Sequence, residues 1–254
     1  MVDLALPRGA VAGQQLPILP LSAAKLSYGT STGTWVGPID LTIDQAGVTV
    51  VLGPNGAGKS VLLRLLHGLL EPTTGHVTWN GRPMDREIRL RQAMVFQSPV
   101  VLRRSVAANL RYALRIRGYR GAALHERLDA WLSHADLVPQ ARRPATVLSG
   151  GEKQRLAIAR ALCGGPDVLF LDEPAANLDG ASVIAIEKLL QTARDNGTKL
   201  VLVTHDLHQA RRMADEVVFM VAGQVRERAP ASRFFDQPHN PRPRPSSTAA
   251  SSCD

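Results

Sequence analysis

The chain has 254 residues, 44% hydrophobic and 20% charged, with a formal net charge of +8 at pH 7. That balance suits one large globular domain with a buried core, and no stretch approaches the roughly 18 apolar residues of a membrane span. The positive excess suits an acidic partner such as a nucleotide, an anionic lipid or a nucleic acid, or merely a solvated basic surface, and does not choose among them.

Residues 1–20 are mildly apolar but carry Asp3, three prolines and no basic start, so a flexible lead-in is expected rather than a secretory signal. The first strong element is "VTVVL", Val48 to Leu52, an apolar run that reads as a strand covered on both faces. It runs into "GPNGAGKS" and then "SVLLRLLHGLL", which has helical spacing. Strand, glycine loop and helix in that order make a phosphate cradle. Across Gly53, Pro54, Asn55, Gly56, Ala57 and Gly58, backbone amides can turn inward around phosphate oxygens, and the helix opening at Lys59, Ser60 and Val61 presents its positive end. Lys59 is then expected to reach the β- and γ-phosphates and Ser60 to ligate magnesium.

A second short strand is expected over Ala93 to Phe96, followed by Gln97. From about Ser98 to Arg160 the pattern is helical throughout, with "SVAANLRYALRIRG" and "LHERLDAWLSHADL" as amphipathic pieces, which predicts an inserted helical subdomain over 98–160. Within it, "LSGGEKQR" places a second small flexible turn, Ser149, Gly150 and Gly151, at the start of a helix, where it would make another anion-binding cap.

"VLFLDEP" reads as a buried strand, Val168 to Leu171, ending in carboxylates at the sheet edge where ligands of open α/β sheets bind. Asp172 is placed to hold magnesium, and Glu173, on the opposite side of the chain, to polarise an attacking water. "SVIAIEKLLQTAR" is helical. "LVLVTHD" makes Leu200 to Thr204 a strand with His205 at the same edge, able to donate a hydrogen bond to the γ-phosphate. "VVFMV", Val217 to Val221, is a further strand, and alternation of strand with helix argues for a mostly parallel sheet. Cys163 reads as a small core residue and Cys253 lies in the tail, which fits a reducing compartment better than a disulfide framework. Residues 236–254, rich in Pro, Arg, Ser and Ala, are expected to be a disordered tail dispensable for catalysis.

The ordered motifs "GPNGAGKS", "VFQSP", "LSGGEKQR", "VLFLDEP", "NLD" and "VTHD" resemble the ATP-binding cassette family, the ATPase subunits of ABC transporters, over roughly Lys25 to Phe235. The resemblance implies a phosphate-loop NTPase core over 21–235, with an N-terminal antiparallel β subdomain beside the parallel sheet, and ATP with Mg2+ as cofactors. It implies two subunits packed head to tail, with Leu148, Ser149, Gly150, Gly151 and Glu152 completing the partner's nucleotide site. Gln97 resembles the glutamine that senses magnesium and the γ-phosphate, Asp179 the interface aspartate that couples the two sites, and Tyr28 in "LSYGT" the aromatic that stacks on adenine. Glu152 stands where glutamine is more usual, and Val61 where threonine is frequent.

Chromosome-organising relatives carry long coiled coils between the first loop and the acidic strand. Here Lys59 and Asp172 lie 113 positions apart, which leaves room only for the helical subdomain. The expected role is therefore the energy-coupling ATPase, expected as a homodimer, of a bacterial importer at the cytoplasmic face of the inner membrane. Its expected partners are separate permease subunits and, through them, a periplasmic binding protein, with no nucleic acid. The stretches "LLRLLHGLLEPTTGHVTWNG" and "RQAMVFQSPVVLRRSVAANLRYAL" resemble most the ATPases of tungstate importers. Importers of phosphate or polar amino acids, and an exporter, are the alternatives.

Overall fold

The computed structural model describes residues 16–30, 33–44 and 47–236. The expectations for the first fifteen residues and for most of the tail lie outside those described residues.

In chain order the elements are β1 (Leu21–Thr30), β2 (Gly33–Ile43), β3 (Val48–Leu52), α1 (Lys59–His67), β4 (Thr74–Trp79), α2 (Arg86–Leu90) and β5 (Gln92–Val95). The helical stretch follows as α3 (Val106–Ile116), α4 (Gly121–His134) and α5 (Gly150–Leu162). The chain then runs through β6 (Val168–Asp172), α6 (Gly180–Asp195), β7 (Lys199–Thr204), α7 (Leu207–Met213), β8 (Glu216–Val221), β9 (Gln224–Pro230) and α8 (Ala231–Asp236).

β2, β1 and β4 form a small antiparallel sheet in that order, and the larger sheet runs β5-β6-β7-β3-β8-β9. Its first five strands are parallel and β9 returns antiparallel to β8. This is the mostly parallel core with an antiparallel N-terminal sheet that was expected.

The strand side chains divide between two cores, as the period of two requires. Leu169, Leu171, Leu200 and Leu202 face the core shared with α3 to α7. Val168, Phe170, Val201 and Val203 face the other, shared with α1 and the small sheet. With both faces covered, these strands show no polar alternation.

β6, β7 and β8 are each one residue longer than expected, and larger differences fall elsewhere. β5 starts one residue earlier, at Gln92, and leaves Phe96 outside the strand and exposed. The stretch from 98 to 160 is not helical throughout: residues 135–149 are turns with one 3-10 turn at Ala145–Val147, because Pro139 and Pro144 cannot continue a helix. α1 stops at His67, where Gly68 takes φ 79° and its amide bonds back to the carbonyls of Arg64 and Leu65. Among the described residues no helix is long and apolar enough to cross a membrane.

Candidate active site

The loop after β3 is shaped by close packing at two glycines. A Cβ on Gly53 would lie 2.2 Å from the Met220 carbonyl oxygen, and one on Gly58 (φ 91°) would lie 2.6 Å from Val36 Cγ2. Pro54, Asn55 and Gly56 form the exposed tip, and Ala57 is buried beneath it. Lys59 is 5% exposed, and its Nζ donates to the carbonyls of Gly53 (2.8 Å) and Pro54 (3.0 Å). Burial holds its pKa below the ordinary lysine value, while the charges of Glu173 and Asp172 pull it back up. An anion beside this ammonium would relieve the same penalty. The first turn of α1 carries no acidic residue and no side-chain cap, so its amides remain available to phosphate oxygens. Asn55, Gly56, Lys59, Ser60, Val61, Glu173 and Trp35 line the resulting open cleft of about 340 Å³.

Parallel pairing brings the acidic strand to this edge. Asp172, at the end of β6, is opposite Val203 on β7, and Leu52 is opposite Thr204. Asp172 is 3% exposed; it accepts from Ser60 Oγ at 2.7 Å and lies 3.8 Å from Arg64 Nη2. A hydroxyl and a carboxylate this close are the hard oxygen donors that suit Mg2+, which takes few protein ligands and completes its shell with phosphate and water oxygens. Glu173 departs in another direction. Its φ of 46° is left-handed, its amide donates to the Val203 carbonyl, and its Oε1 lies 3.1 Å from His205 Nδ1. His205 is fixed between the end of β7 and α7, whose start Asp206 caps through the amides of His208 and Gln209. Asp172 thus faces the phosphate loop, and Glu173 faces the histidine.

The second glycine turn opens its helix differently. Ser149 Oγ accepts from the Glu152 amide at 3.2 Å, and the Ser149 amide donates to Glu152 Oε2 at 2.8 Å, a reciprocal cap on α5. That bond to the Ser149 amide is the main reason the Glu152 carboxyl sits below its ordinary pKa. Leu148 is buried in the core. Asp179 caps α6, its two oxygens accepting from the amide and the hydroxyl of Ser182. Gln97 is exposed just beyond β5.

Tyr28 is half-buried and packs edge-on against Trp35, their ring centroids 5.8 Å apart. Trp35, 55% exposed, is the aromatic that lines the cleft. Sequence reasoning missed Trp35, Arg64 and Ser182. Arg64 stands one helical turn after Ser60, a spacing that could have found it; the other two depend on contacts between segments distant in the chain.

A family model described as "ABC transporter" matches residues 36–176. The chain is 36% identical over 252 residues to "Phosphate import ATP-binding protein PstB 2" of Natronomonas pharaonis, covering 91% of this chain and 87% of that one. It is 36% identical over 218 residues to "Tungstate uptake system ATP-binding protein TupC" of Peptoclostridium acidaminophilum, covering 85% and 99%. Among solved structures, it superposes with a TM-score of 0.73 and 27% identity on the dimeric post-hydrolysis state of the ATP-binding cassette MJ0796 bound to ADP and Pi, covering 83% and 98%.

Proposed function

The chain belongs to the ABC transporter family and is an ATPase of the ABC type, and on that premise we propose that it is the energy-coupling subunit of an importer for tungstate or a related tetrahedral oxyanion. The observation that carries the ATPase chemistry is the convergence of Lys59, Ser60, Asp172, Glu173 and His205 on one sheet edge. Lys59 and the α1 amides bind the nucleotide's phosphates, and Trp35, with Tyr28 behind it, offers the aromatic surface for the base. Ser60 and Asp172 would hold Mg2+, which would supply positive charge to neutralise the nucleotide's phosphates.

Glu173 is the general base. Its carboxylate accepts a proton as water attacks the γ-phosphorus, and the bond to the ADP oxygen breaks. His205 steadies that carboxylate through Nδ1. Gln97 senses the γ-phosphate and links the site to the permease.

The turns at Ser149–Gly151 and Asp179 complete the site of a second copy packed head to tail. Support comes from the dimeric post-hydrolysis cassette on which the chain superposes. Mixing Ser149→Arg with Lys59→Ala protein tests this arrangement. Each alone should be inactive, and the mixture should recover hydrolysis through heterodimers with one intact composite site; a mixture as inactive as its parts overturns it.

The subunit sits peripherally at the cytoplasmic face of the membrane beneath its permease, and a binding protein delivers cargo to the permease. The permease contact falls to the surface that follows Gln97. Between Glu87 and Glu126 there are eight arginines and no acidic residue. On α3, Tyr112 and Ile116 stand exposed one turn apart, with Arg104 over the Tyr112 ring at 5.8 Å.

For the cargo, the tungstate-uptake relative matches over nearly its whole length, and phosphate is the second reading because the phosphate-import relative is equally identical. Calorimetry on the binding protein encoded beside this gene separates them. Tight binding of tungstate with sulfate far weaker supports the first reading, and binding of phosphate alone supports the second. Binding of an amino acid and no oxyanion overturns both.

A further inference from the structure

Glycine at position 151 has a reason inside its own chain. A Cβ built on Gly151 would lie 2.2 Å from Ser182 Oγ and 2.7 Å from Ser182 Cβ, distances that a real Cβ essentially never shows. Gly151 is not among the residues of positive φ, so backbone conformation does not demand glycine there. The neighbour does.

Ser182 is itself constrained. It is 9% exposed, in the first turn of α6, and its amide and hydroxyl donate to the two carboxylate oxygens of Asp179 at 2.9 and 2.8 Å. Beside it, a Cβ on Gly150 would come within 3.3 Å of Leu178 Cδ2. The start of α5 and the start of α6 are therefore packed to within the width of one serine side chain. Two charge-assisted bonds stop the Asp179 carboxylate from rotating away from that serine.

We infer that Ser182 is a positioning residue that locks the Ser149–Gly151 turn and the Asp179 turn of one chain into a single unit. Both turns then reach the second copy's nucleotide together or not at all. The glycine at 151 is required by Ser182 in the same chain rather than by the nucleotide across the interface. This inference rests on the reading that the two turns complete a site in a second copy.

The test uses the full chain carrying Glu173→Gln, in which ATP-bound dimers are expected to accumulate and are counted by gel filtration. Adding Gly151→Ala should abolish the dimer. Adding Ser182→Gly to that variant removes both clashing atoms and should restore dimer to the level that Ser182→Gly shows without the alanine. If the alanine instead blocks the nucleotide, the double variant stays monomeric although it folds and binds ATP as the parent does, and the inference is overturned.

Melting temperature and ATP binding by each monomer verify the fold. A parent that forms no dimer with ATP overturns the head-to-tail reading itself, a result distinct from failure of the double variant alone. In the otherwise native chain, Ser182→Ala keeps the Cβ and loses the hydroxyl. It should lower kcat about tenfold with the KM for ATP unchanged, as expected when a bond to a charged group acts on the transition state. An unchanged kcat overturns the positioning role.

Discussion

Glu173 occupies a left-handed backbone position, φ 46°, that costs a non-glycine residue on the order of 1 kcal/mol. The outcome is a side chain that lines the phosphate-loop cleft while meeting His205, whereas the Asp172 carboxylate accepts from Ser60. Glu173→Gln keeps the shape and removes the basicity. Hydrolysis should fall by about 100-fold or more with ATP binding retained, as a phosphate-release assay and a nucleotide titration would read.

A second residue-scale consequence lies at the far end of α1. Burial, aided by the charge of Arg89, pushes the His67 imidazole down to about 4, and its ring packs edge-on against Phe170. The folded state therefore keeps His67 neutral where the unfolded chain protonates it. Stability is full above about pH 6.5 and is lost as pH falls toward 4. Between pH 7 and 4.5 this group should remove about 2–3 kcal/mol. Urea unfolding of the wild type and of His67→Leu at both pH values isolates it, since the variant should have the shallower pH dependence.

The two glycine turns open their helices in different ways. α1 begins with no side-chain cap and no acidic first turn, which leaves its amides for an external anion. α5 begins with a reciprocal cap in which Glu152 takes the Ser149 amide, so part of that helix start is satisfied internally. Glutamine at 152 can make the same acceptor contact, and alanine cannot. Glu152→Ala should cost about 1 kcal/mol of stability and lower the hydrolysis rate, whereas Glu152→Gln should preserve both; urea titrations and ATPase assays on the pair check this. The S-x-x-E spacing from Ser149 to Glu152 is itself readable as a cap, and it gives the departure from glutamine a physical role.

At the scale of the molecule, the large sheet separates two hydrophobic cores and delivers the ends of β3, β6 and β7 to one edge. The chain's formal net charge is +8, and the arginine-rich stretch from 88 to 125, free of carboxylates, concentrates positive charge around α3. Charge of one sign on a contact surface speeds encounter and selects partners more than it adds affinity. Arg111→Glu combined with Arg115→Glu should weaken co-purification with the permease about tenfold or more at physiological salt, and should leave the hydrolysis rate of the isolated chain within about twofold because neither residue lines the nucleotide cleft. Pull-down yield and phosphate release on the same preparations measure both.

The central strands and the helices α1 and α6 were legible because each is a local signal: a run buried on both faces is continuously apolar, and a helix with one buried stripe repeats every three to four residues. Lys59, Ser60, Asp172, Glu173 and His205 were legible for a related reason, each standing at the end of such a run. β1, β2, β4 and β9 offered weaker patterns. β1 carries register shifts against both its neighbours, and only part of each strand's surface is buried. The resemblance to a family anticipated the small sheet, but no periodicity bounded its strands. What tertiary structure alone decided are contacts made across the chain: Trp35 reaching the phosphate cleft, Glu173 meeting His205 beside that cleft, and Ser182 closing on Gly151. Such contacts join segments that carry no mutual imprint in sequence spacing, because their geometry is set by how two sheets and two cores pack rather than by the residues between them.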